Sequence, residues 1–459
     1  MSNLLQVKQA YTGEILKELQ MHDGAQVDKM LSSAKKKHFE GALPIYERIN
    51  ILRKLADLVA NEHEQFSQLI ANEGGKPIRD ARVEVTRAVG GIHIAITEIQ
   101  SIQGFEVPMD LSAAGSGRKA FTILEPIGVV VAVSAFNHPL NLAIHQVIPA
   151  VAAGCPVIIK PAEVTPLSTL RLAELILQAG LPEGWVQVAL TDRKNSEKLV
   201  TDPRVAFFSF IGSAKVGWYL KSKLAPGTRC ALEHGGVAPL IFDQYSDEEA
   251  FANGVVKASM YHSGQVCVSV QRVYVPQSRA IELAQKIADI AAKQVVGDAI
   301  NEDSDLGPLI LPKETDRIES WVNEAVEQGA QVITGGKRIN DVSYEPTVLL
   351  NPSKTSKVST SEIFGPVVCI YGYKDINNAI SDANSLDVSF QASVFSDDIS
   401  KAMDIAKRLE ASAVMINDYT TFRVDWMPFA GRKHSGYGIG GIGYSMKDML
   451  EHKMLVIKG

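Results

Sequence analysis

Apolar and polar residues recur along this chain with two different periods, and the change of period marks its organisation. From 45 to 73, Leu52, Leu55, Val59, Phe66 and Ile70 fall at three-to-four spacing among Arg53, Lys54, Asp57 and Glu62. That spacing predicts an amphipathic, helical stretch, ended by Gly74-Gly75. Beyond Pro126 short apolar runs alternate with helical stretches. Val129 to Val133 reads as a strand, Pro139 to Ala153 as a helix, Val157 to Ile159 as a strand, and Thr165-Pro166 as the cap of a helix reaching Gly180. Val186 to Leu190, Ala206 to Phe210 and Cys230 to Leu232 read as further strands, with helices near 195 to 201 and 213 to 224. A second set begins at Asp243, with helices near 247 to 262, 279 to 295 and 313 to 328, and strands near 268 to 275, 366 to 373 and 412 to 416.

Apolar strands alternating with helices predict an α/β fold, its parallel sheet covered on both faces and its crossovers right-handed. Residues just past the strand ends of such a sheet gather on one edge, where ligands bind. Asn137, Lys160, Gly212-Ser213 and Glu233 all fall at such ends. No Gly-x-Gly-x-x-Gly follows the first strand. Gly212 to Gly217 opens a helix after a strand, and is either a phosphate-binding turn or only a tight one.

Composition narrows the class. A chain of 459 residues with 46% apolar content has enough core for two or three domains. Its 46 basic and 52 acidic residues leave a net charge of -6, and no basic block exceeds Lys35-Lys36-Lys37, which argues against a nucleic-acid partner. Four cysteines without a Cys-x-x-Cys pair suit a reducing compartment and exclude a disulfide framework or zinc ribbon; no metal site is expected. The opening, Met1 to Lys8, lacks a basic region followed by an apolar stretch, so no secretory signal is expected and the cytoplasm is the default. Leu142 to Ile159 is mostly apolar over 18 residues, yet His145, Gln146, Pro149, Gly154 and Pro156 interrupt it. A buried helix followed by a short strand is expected there, not a membrane span. Ser435 to Gly443 carries five glycines in nine residues between structured segments, which predicts a tight functional turn.

Chemistry enters with Cys267, in Ser263-Gly264-Gln265-Val266-Cys267-Val268-Ser269-Val270. A free cysteine is usually core filler, and Cys155, Cys230 and Cys369 lie in or beside apolar runs that suit that role. Cys267 instead follows Gly264-Gln265, where a turn leads into the strand pattern Val268, Val270, Arg272, Tyr274. Upstream, Glu233 leaves a strand-like run into His234-Gly235-Gly236. A soft nucleophile beside a turn glycine and a carboxylate leaving a strand into a glycine pair are what an enzyme needs to make and hydrolyse a thioester, the chemistry that oxidises an aldehyde. A cofactor-independent cysteine hydrolase with His262, His234 or His138 as base would draw on the same cysteine, and a binding protein would keep the scaffold without turnover.

Seven motifs in order, Phe136-Asn137-His138-Pro139, Lys160-Pro161-Ala162-Glu163, Phe210-Ile211-Gly212-Ser213, Leu232-Glu233-His234-Gly235-Gly236, Gly264-Gln265-Val266-Cys267, Glu362-Ile363-Phe364-Gly365-Pro366 and Pro428-Phe429-Ala430-Gly431, resemble the aldehyde dehydrogenase superfamily. The resemblance runs from about residue 20 onward. It implies two doubly wound domains, one binding the cofactor (1–106 and 126–235) and one catalytic (236–445), plus a small β oligomerisation element (107–125 and 446–459). It implies Cys267 as the nucleophile, the Asn137 amide and the Cys267 backbone N–H as oxyanion donors, and Glu233 as the base that activates water. For the cofactor, NAD with NADP as the alternative, it implies Lys160 and Glu163 at the adenosine ribose and Gly212 and Ser213 at the diphosphate. Glu362 and Phe364 would meet the nicotinamide ribose and ring, and Phe136 is a further contact.

The chain departs from the family at His234, where leucine is usual, at Val237 for lysine, at Ala430 for glycine, and at the glycine-free Thr191-Asp192-Arg193-Lys194. His234 is placed to shift the protonation of Glu233. Asn141, Thr421 to Asp425 and Ser435 to Met446 look most like the branch holding lactaldehyde and non-phosphorylating glyceraldehyde-3-phosphate dehydrogenases, with small polar aldehydes as substrates. Branch members acting on phosphorylated triose often carry arginine where Val266 stands, which argues against a phosphate ester, and Glu233 argues for a free acid as product. Glu163 would accept from a ribose 2′-hydroxyl and repel a 2′-phosphate, favouring NAD. Arg423 either contacts the substrate or bridges to Asp418 or Asp425. The apolar run Met454 to Ile457 reads as an edge strand, which predicts a homodimer or homotetramer that pairs it.

Overall fold

A computed structural model of the chain describes residues 4–459, so Met1 to Asn3 of the opening segment lie outside the described residues. Its first sheet carries, in spatial order, Gly436–Tyr437, Arg229–Glu233, Val205–Ile211, Val129–Val133, Val157–Lys160 and Val186–Val188. All pairings are parallel except that of Gly436–Tyr437. The chain runs outward from Val129–Val133 to Val186–Val188 and then returns to the other side for Val205–Ile211, so the strand order reverses between those two neighbours. The crevice beyond their carboxyl ends is where an open α/β sheet takes a ligand.

The second sheet runs Gln331–Thr334, Thr347–Leu350, Val367–Tyr373, Val270–Pro276, Ala238–Gln244, Gln391–Ser396 and Ala413–Ile416, with only Gln331–Thr334 antiparallel. Four residues, His234 to Val237, join Arg229–Glu233 of the first sheet to Ala238–Gln244 at the centre of the second. The carboxyl edge of one sheet therefore meets the amino edge of the other.

Both sheets are covered on both faces, which explains why their strands read as unbroken apolar runs. Val130, Ala132, Val157 and Ile159 pack in one core and Val129, Val131 and Ile158 in another. The apolar window is the buried helix Pro139–Ala153 and the strand Val157–Lys160. Among the described residues no helix is long and apolar enough to cross a membrane.

The structure divides one helical stretch and corrects one cap. The stretch 45 to 73 is two helices, Ile45–Asn61 and His63–Gly74, with Glu62 out of helical geometry at φ -102°, ψ 23°. A one-residue interruption leaves Val59 and Phe66 on the same core, so the periodicity does not register it. The helix after Lys160 is Leu167–Gln178, and Thr165 does not cap it; its hydroxyl is buried without a partner. Glu73 supplies the cap instead, accepting from the N–H groups of Leu167 (2.7 Å) and Ser168 (2.9 Å).

The other boundaries fall within about four residues of the pattern's, as fraying ends do. The pattern passes over the hairpin Leu4–Lys8 and Ile15–Gln20 and the long helices Gly24–Glu40 and Ile78–Glu98. A third sheet pairs Leu450–Lys458 with Arg118–Pro126 along its whole length, and Glu106–Val107 completes it.

Candidate active site

The first sheet delivers its expected residues to one edge. Lys160, Ile211 and Glu233 end three of its parallel strands, and Asn137 lies four residues past Val133. The second sheet contributes from the opposite end: Cys267 precedes Val270–Pro276, and Glu362 to Gly365 precede its neighbour Val367–Tyr373. Side-chain contacts close the gap between the edges. Asn137 Nδ2 donates to the carbonyl of Gln265 at 2.9 Å, and the rings of Phe136 and Phe364 meet edge-on at 5.8 Å.

The nucleophile segment is held from several sides. Gln265 Nε2 donates to the carbonyls of His262 and Pro308 (3.2 Å each), and its Oε1 accepts from Ile310 N–H at 3.0 Å. His262 (φ 49°) and Ser263 (φ 54°) take left-handed conformations just upstream, local strain of the kind that clusters at functional sites. Val266, Val268 and Phe390, with Tyr261 and Phe429, wall Cys267 in apolar surface. Burial pushes its thiol pKa up, the charges of Glu362 and Glu233 push the same way, and Arg423 opposes them. None of the three candidate histidine bases is among these principal influences on the sulfur.

Each carboxylate rests on a glycine. A Cβ at Gly440 would lie 1.9 Å from Glu233 Oε1, and one at Gly235 would lie 1.6 Å from Glu362 Oε1. Burial raises Glu233 to about 7 against the opposing charge of Arg423. Burial raises Glu362 to about 8, opposed by Arg317. The glycine-rich tail makes the Glu233 seat: Gly436 pairs with Glu233 as an added antiparallel strand, and Gly440 bridges to Phe429.

Arg423 forms neither of the expected aspartate bridges. Its Nη1 donates to the carbonyls of Val424 (3.0 Å) and Met427 (2.8 Å), and its guanidinium stacks 4.3 Å over Phe429. Burial lowers its pKa to about 10. Asp425 is occupied by Arg87 (2.7 Å) and His145 (2.9 Å). His234 does not act on Glu233 as the sequence suggested. Successive residues of a strand point to opposite faces, and the His234 ring lies on Gly217, with Phe210 and Trp218 beside it and Nδ1 at 2.8 Å from the Gly212 carbonyl.

The profile of the aldehyde dehydrogenase family matches residues 2–455. The chain belongs to that family. It is 39% identical over 454 residues, 99% of this chain and 94% of the relative, to the 3-sulfolactaldehyde dehydrogenase of Priestia aryabhattai. It is 33% identical over 459 residues, 99% of this chain and 97% of the relative, to the lactaldehyde dehydrogenase of Methanococcus vannielii. Among solved structures it is similar to the glyceraldehyde-3-phosphate dehydrogenase GapN of Methanocaldococcus jannaschii complexed with NADP, with a TM-score of 0.94 and 32% identity over 99% of each chain.

As an aldehyde dehydrogenase this is an NAD(P)-dependent oxidoreductase, and its cleft fits such a cofactor. Glu362 Oε1 is buried with no hydrogen-bond partner, an acceptor awaiting a donor. Ser213 and the start of the helix Ala214–Lys221 present backbone N–H groups at the reversal of strand order, while the Gly212 N–H is taken by the Glu233 carbonyl at 3.0 Å. Lys160 Nζ and Glu163 Oε1 pair loosely at 3.4 Å, with Glu163 exposed just past its strand end.

Several residues around this aldehyde dehydrogenase's site escaped the sequence reading, Glu73, Lys76, Glu84 and Arg87, and Asp425 was read there only as a partner for Arg423. A signal existed for two of them. Glu84 interrupts the apolar stripe Ile78, Ala81, Val85, Ala88, Ile92, and Glu73 continues the spacing of Phe66 and Ile70, so each is a charge on a core-facing position.

Proposed function

We propose that this enzyme oxidises a small polar aldehyde to its free carboxylic acid through a thioester on Cys267. The observation that carries the reading is the meeting of three distant segments: Asn137 bonds the carbonyl two residues before Cys267, and Gly440, on which the Glu233 carboxylate rests, bridges to Phe429 of the apolar cluster that holds Cys267. The Cys267 sulfur, once deprotonated, attacks the aldehyde carbon. The second N–H of the Asn137 amide and the Cys267 backbone N–H receive the developing oxyanion, and the bond to Gln265 holds the amide in place for it. The hydride acceptor for that carbon would be supplied by NAD(P) when bound. Ionised Glu233 then takes a proton from the water that attacks the thioester, and the C–S bond breaks to release the acid and return the Cys267 thiolate. Glu163 and Lys160 would hold the adenosine ribose, Gly212 and Ser213 the diphosphate, and Glu362, Phe364 and Phe136 the nicotinamide end.

NAD is the preferred cofactor in this reading, because Glu163 accepts from a 2′-hydroxyl and repels a 2′-phosphate. A higher kcat/KM with NADP would overturn that preference. For the substrate, the 3-sulfolactaldehyde relative and the position of Arg423 favour a short aldehyde with an anionic end. Both protein bonds of Arg423 come from Nη1, which leaves Nε and Nη2 to face a ligand. In the assembly, the strand Leu450–Lys458, with Met454, Leu455, Val456 and Ile457 exposed, would pair with another subunit. Light scattering at micromolar concentration that finds a stable monomer of about 50 kDa would reject the oligomer.

The decisive experiment follows the near-ultraviolet absorbance of reduced cofactor with lactaldehyde and 3-sulfolactaldehyde, which differ by the sulfonate alone. Cys267→Ala is expected to abolish turnover and keep cofactor binding; turnover by that variant would sink the mechanism. Arg423→Ala is expected to lower kcat/KM for 3-sulfolactaldehyde by roughly tenfold more than for lactaldehyde, about 1.4 kcal/mol. Equal losses on both would show that Arg423 only holds its loop.

A further inference from the structure

Two buried carboxylates on neighbouring helices reach the two halves of this site from below. Glu84, in Ile78–Glu98, accepts from the backbone N–H groups of Leu140 and Asn141 at 3.0 Å each, the first turn of the helix that follows Asn137. Its other oxygen pairs with Lys76, and neither side chain is exposed to solvent. Glu73, in His63–Gly74, accepts from Leu167 N–H, Ser168 N–H and the Ser168 hydroxyl (2.6 Å), the first turn of the helix that follows Lys160 to Glu163. Neither of those helices is capped by its own side chain at the N-cap position, which is His138 in one and Pro166 in the other.

A helix start leaves backbone N–H groups unpaired, and a carboxylate there is favoured by both hydrogen bonding and the helix dipole. A local cap would meet that need alone. A cap delivered from another helix also fixes where the capped helix begins, and here one segment, Glu73 to Glu84, fixes two. Lys76, between them in sequence, neutralises Glu84 and lies 6.0 Å from the ring of Tyr261, at the start of the nucleophile's turn. The segment thus touches the oxyanion side, the ribose side and the nucleophile side of the cleft.

We propose that Glu84 and Glu73 are positioning residues of this enzyme, Glu84 setting the Asn137 amide and Glu73 setting the ribose-binding turn Lys160 to Glu163. The inference rests on the roles given above to Asn137 and Glu163. It assigns each carboxylate to a different kinetic constant, which a general loss of stability would not do.

The test uses the full chain with NAD and lactaldehyde, and pairs each neutral replacement of Glu84 with Lys76→Met so that no buried ammonium is left without its partner. Glu84→Ala with Lys76→Met is expected to lower kcat roughly tenfold or more with KM for NAD little changed, since a displaced oxyanion donor loses transition-state contact. Glu84→Gln with Lys76→Met keeps an acceptor at the helix start and is expected to recover most of the rate. Glu73→Ala is expected to raise KM for NAD roughly tenfold with a much smaller effect on kcat, and Glu73→Gln to recover it. If the alanine variants do not fold, Glu84→Asp carries the test: its shorter reach draws on the helix start, and kcat is expected to fall with KM for NAD held. Wild-type kcat in Glu84→Asp, no recovery by the glutamine variants, or parallel changes in both constants at both positions would overturn the proposal. Asn137→Ala and Glu163→Gln run alongside. If they leave kcat and KM for NAD unchanged, the assigned roles fail; if they shift those constants and the Glu84 and Glu73 variants do not, the positioning fails.

Discussion

Glu233 and Glu362 occupy the same cleft under similar conditions, yet their surroundings are built differently. Both are carboxyls raised by burial into the neutral range, and both sit on a glycine that leaves them room. The segment of Glu362 is clamped: Ile363 N–H donates to Gln271 Oε1 at 3.0 Å, Gln271 Nε2 donates to the Ser361 carbonyl at 2.8 Å, and Arg317 Nη2 to the Ile363 carbonyl at 2.7 Å. Its Oε1 is left buried and unpartnered at the end of that rigid mount. Glu233 ends a strand, facing Arg423 and the thiol, with its seat provided by the glycine-rich tail. A fixed acceptor suits the recognition of a bound hydroxyl, whereas a carboxyl poised near neutrality beside the nucleophile suits proton transfer. In the proposed mechanism the same residue type thus serves binding in one place and chemistry in the other.

The largest test of that contrast is Glu233→Gln, which keeps the shape and removes the base. Steady turnover is expected to fall by roughly a hundredfold or more, with one rapid burst of reduced cofactor per active site remaining. Unchanged steady-state rates would reject the role. The pH dependence follows from the same group: with Glu233 near 7, the wild-type rate should climb as pH rises through about 7, and the variant should lose that limb. Stability runs the other way. A folded-state pKa raised above the unfolded value, about 4.3, gives a contribution present below that value and lost as pH rises through the folded one. Glu233→Gln should therefore melt higher than wild type at pH 8, with the gap narrowing toward pH 5.

Gly440→Ala perturbs the same carboxylate without touching it chemically. The added methyl meets the Glu233 carboxylate at 1.9 Å and the Phe429 carbonyl only at 3.0 Å, a contact that a shift of a few tenths of an ångström relieves, so the fold should survive while Glu233 is pushed off its seat. A loss in kcat of roughly tenfold is expected, with the burst retained and KM for NAD unchanged, since misplacement by about 1 Å is enough for such effects. Wild-type turnover in a folded Gly440→Ala variant would show that the seat does not position the base.

How far the sequence carried these assignments depended on where each residue sits in the fold. The parallel strands of the first sheet were legible because burial on both faces makes them continuous apolar runs, and their ends placed Asn137, Lys160 and Glu233 on one edge. The amino edge of the second sheet was not legible by that route, since residues before strands are not expected to gather at a ligand; Cys267 was singled out by its place after the turn Gly264-Gln265, and Glu362 came from its motif alone. Pairing of the glycine-rich tail with Glu233 is a long-range antiparallel contact, which local periodicity does not encode. Glu73 as the cap of Leu167–Gln178 was hidden for the same reason: 94 residues separate donor and acceptor, and the nearby Thr165-Pro166 offered a local cap that the chain does not use.

The smallest expected effect falls on the clamped carboxylate, and it is the sharpest test of the contrast. Gly235→Ala places a methyl 1.6 Å from Glu362 Oε1, again against the tip of a side chain and not against backbone. Because Gln271 and Arg317 hold the segment, only the carboxylate can turn aside, and what is lost is the hydrogen bond offered to the cofactor. One such bond, at about 1 kcal/mol, corresponds to roughly a fivefold rise in KM for NAD. The acid limb near pH 7 should be untouched, because that limb belongs to Glu233. If Gly235→Ala instead removes the limb or suppresses hydrolysis after a normal burst, Glu362 takes part in proton transfer, and the division between a binding carboxylate and a chemical one does not hold.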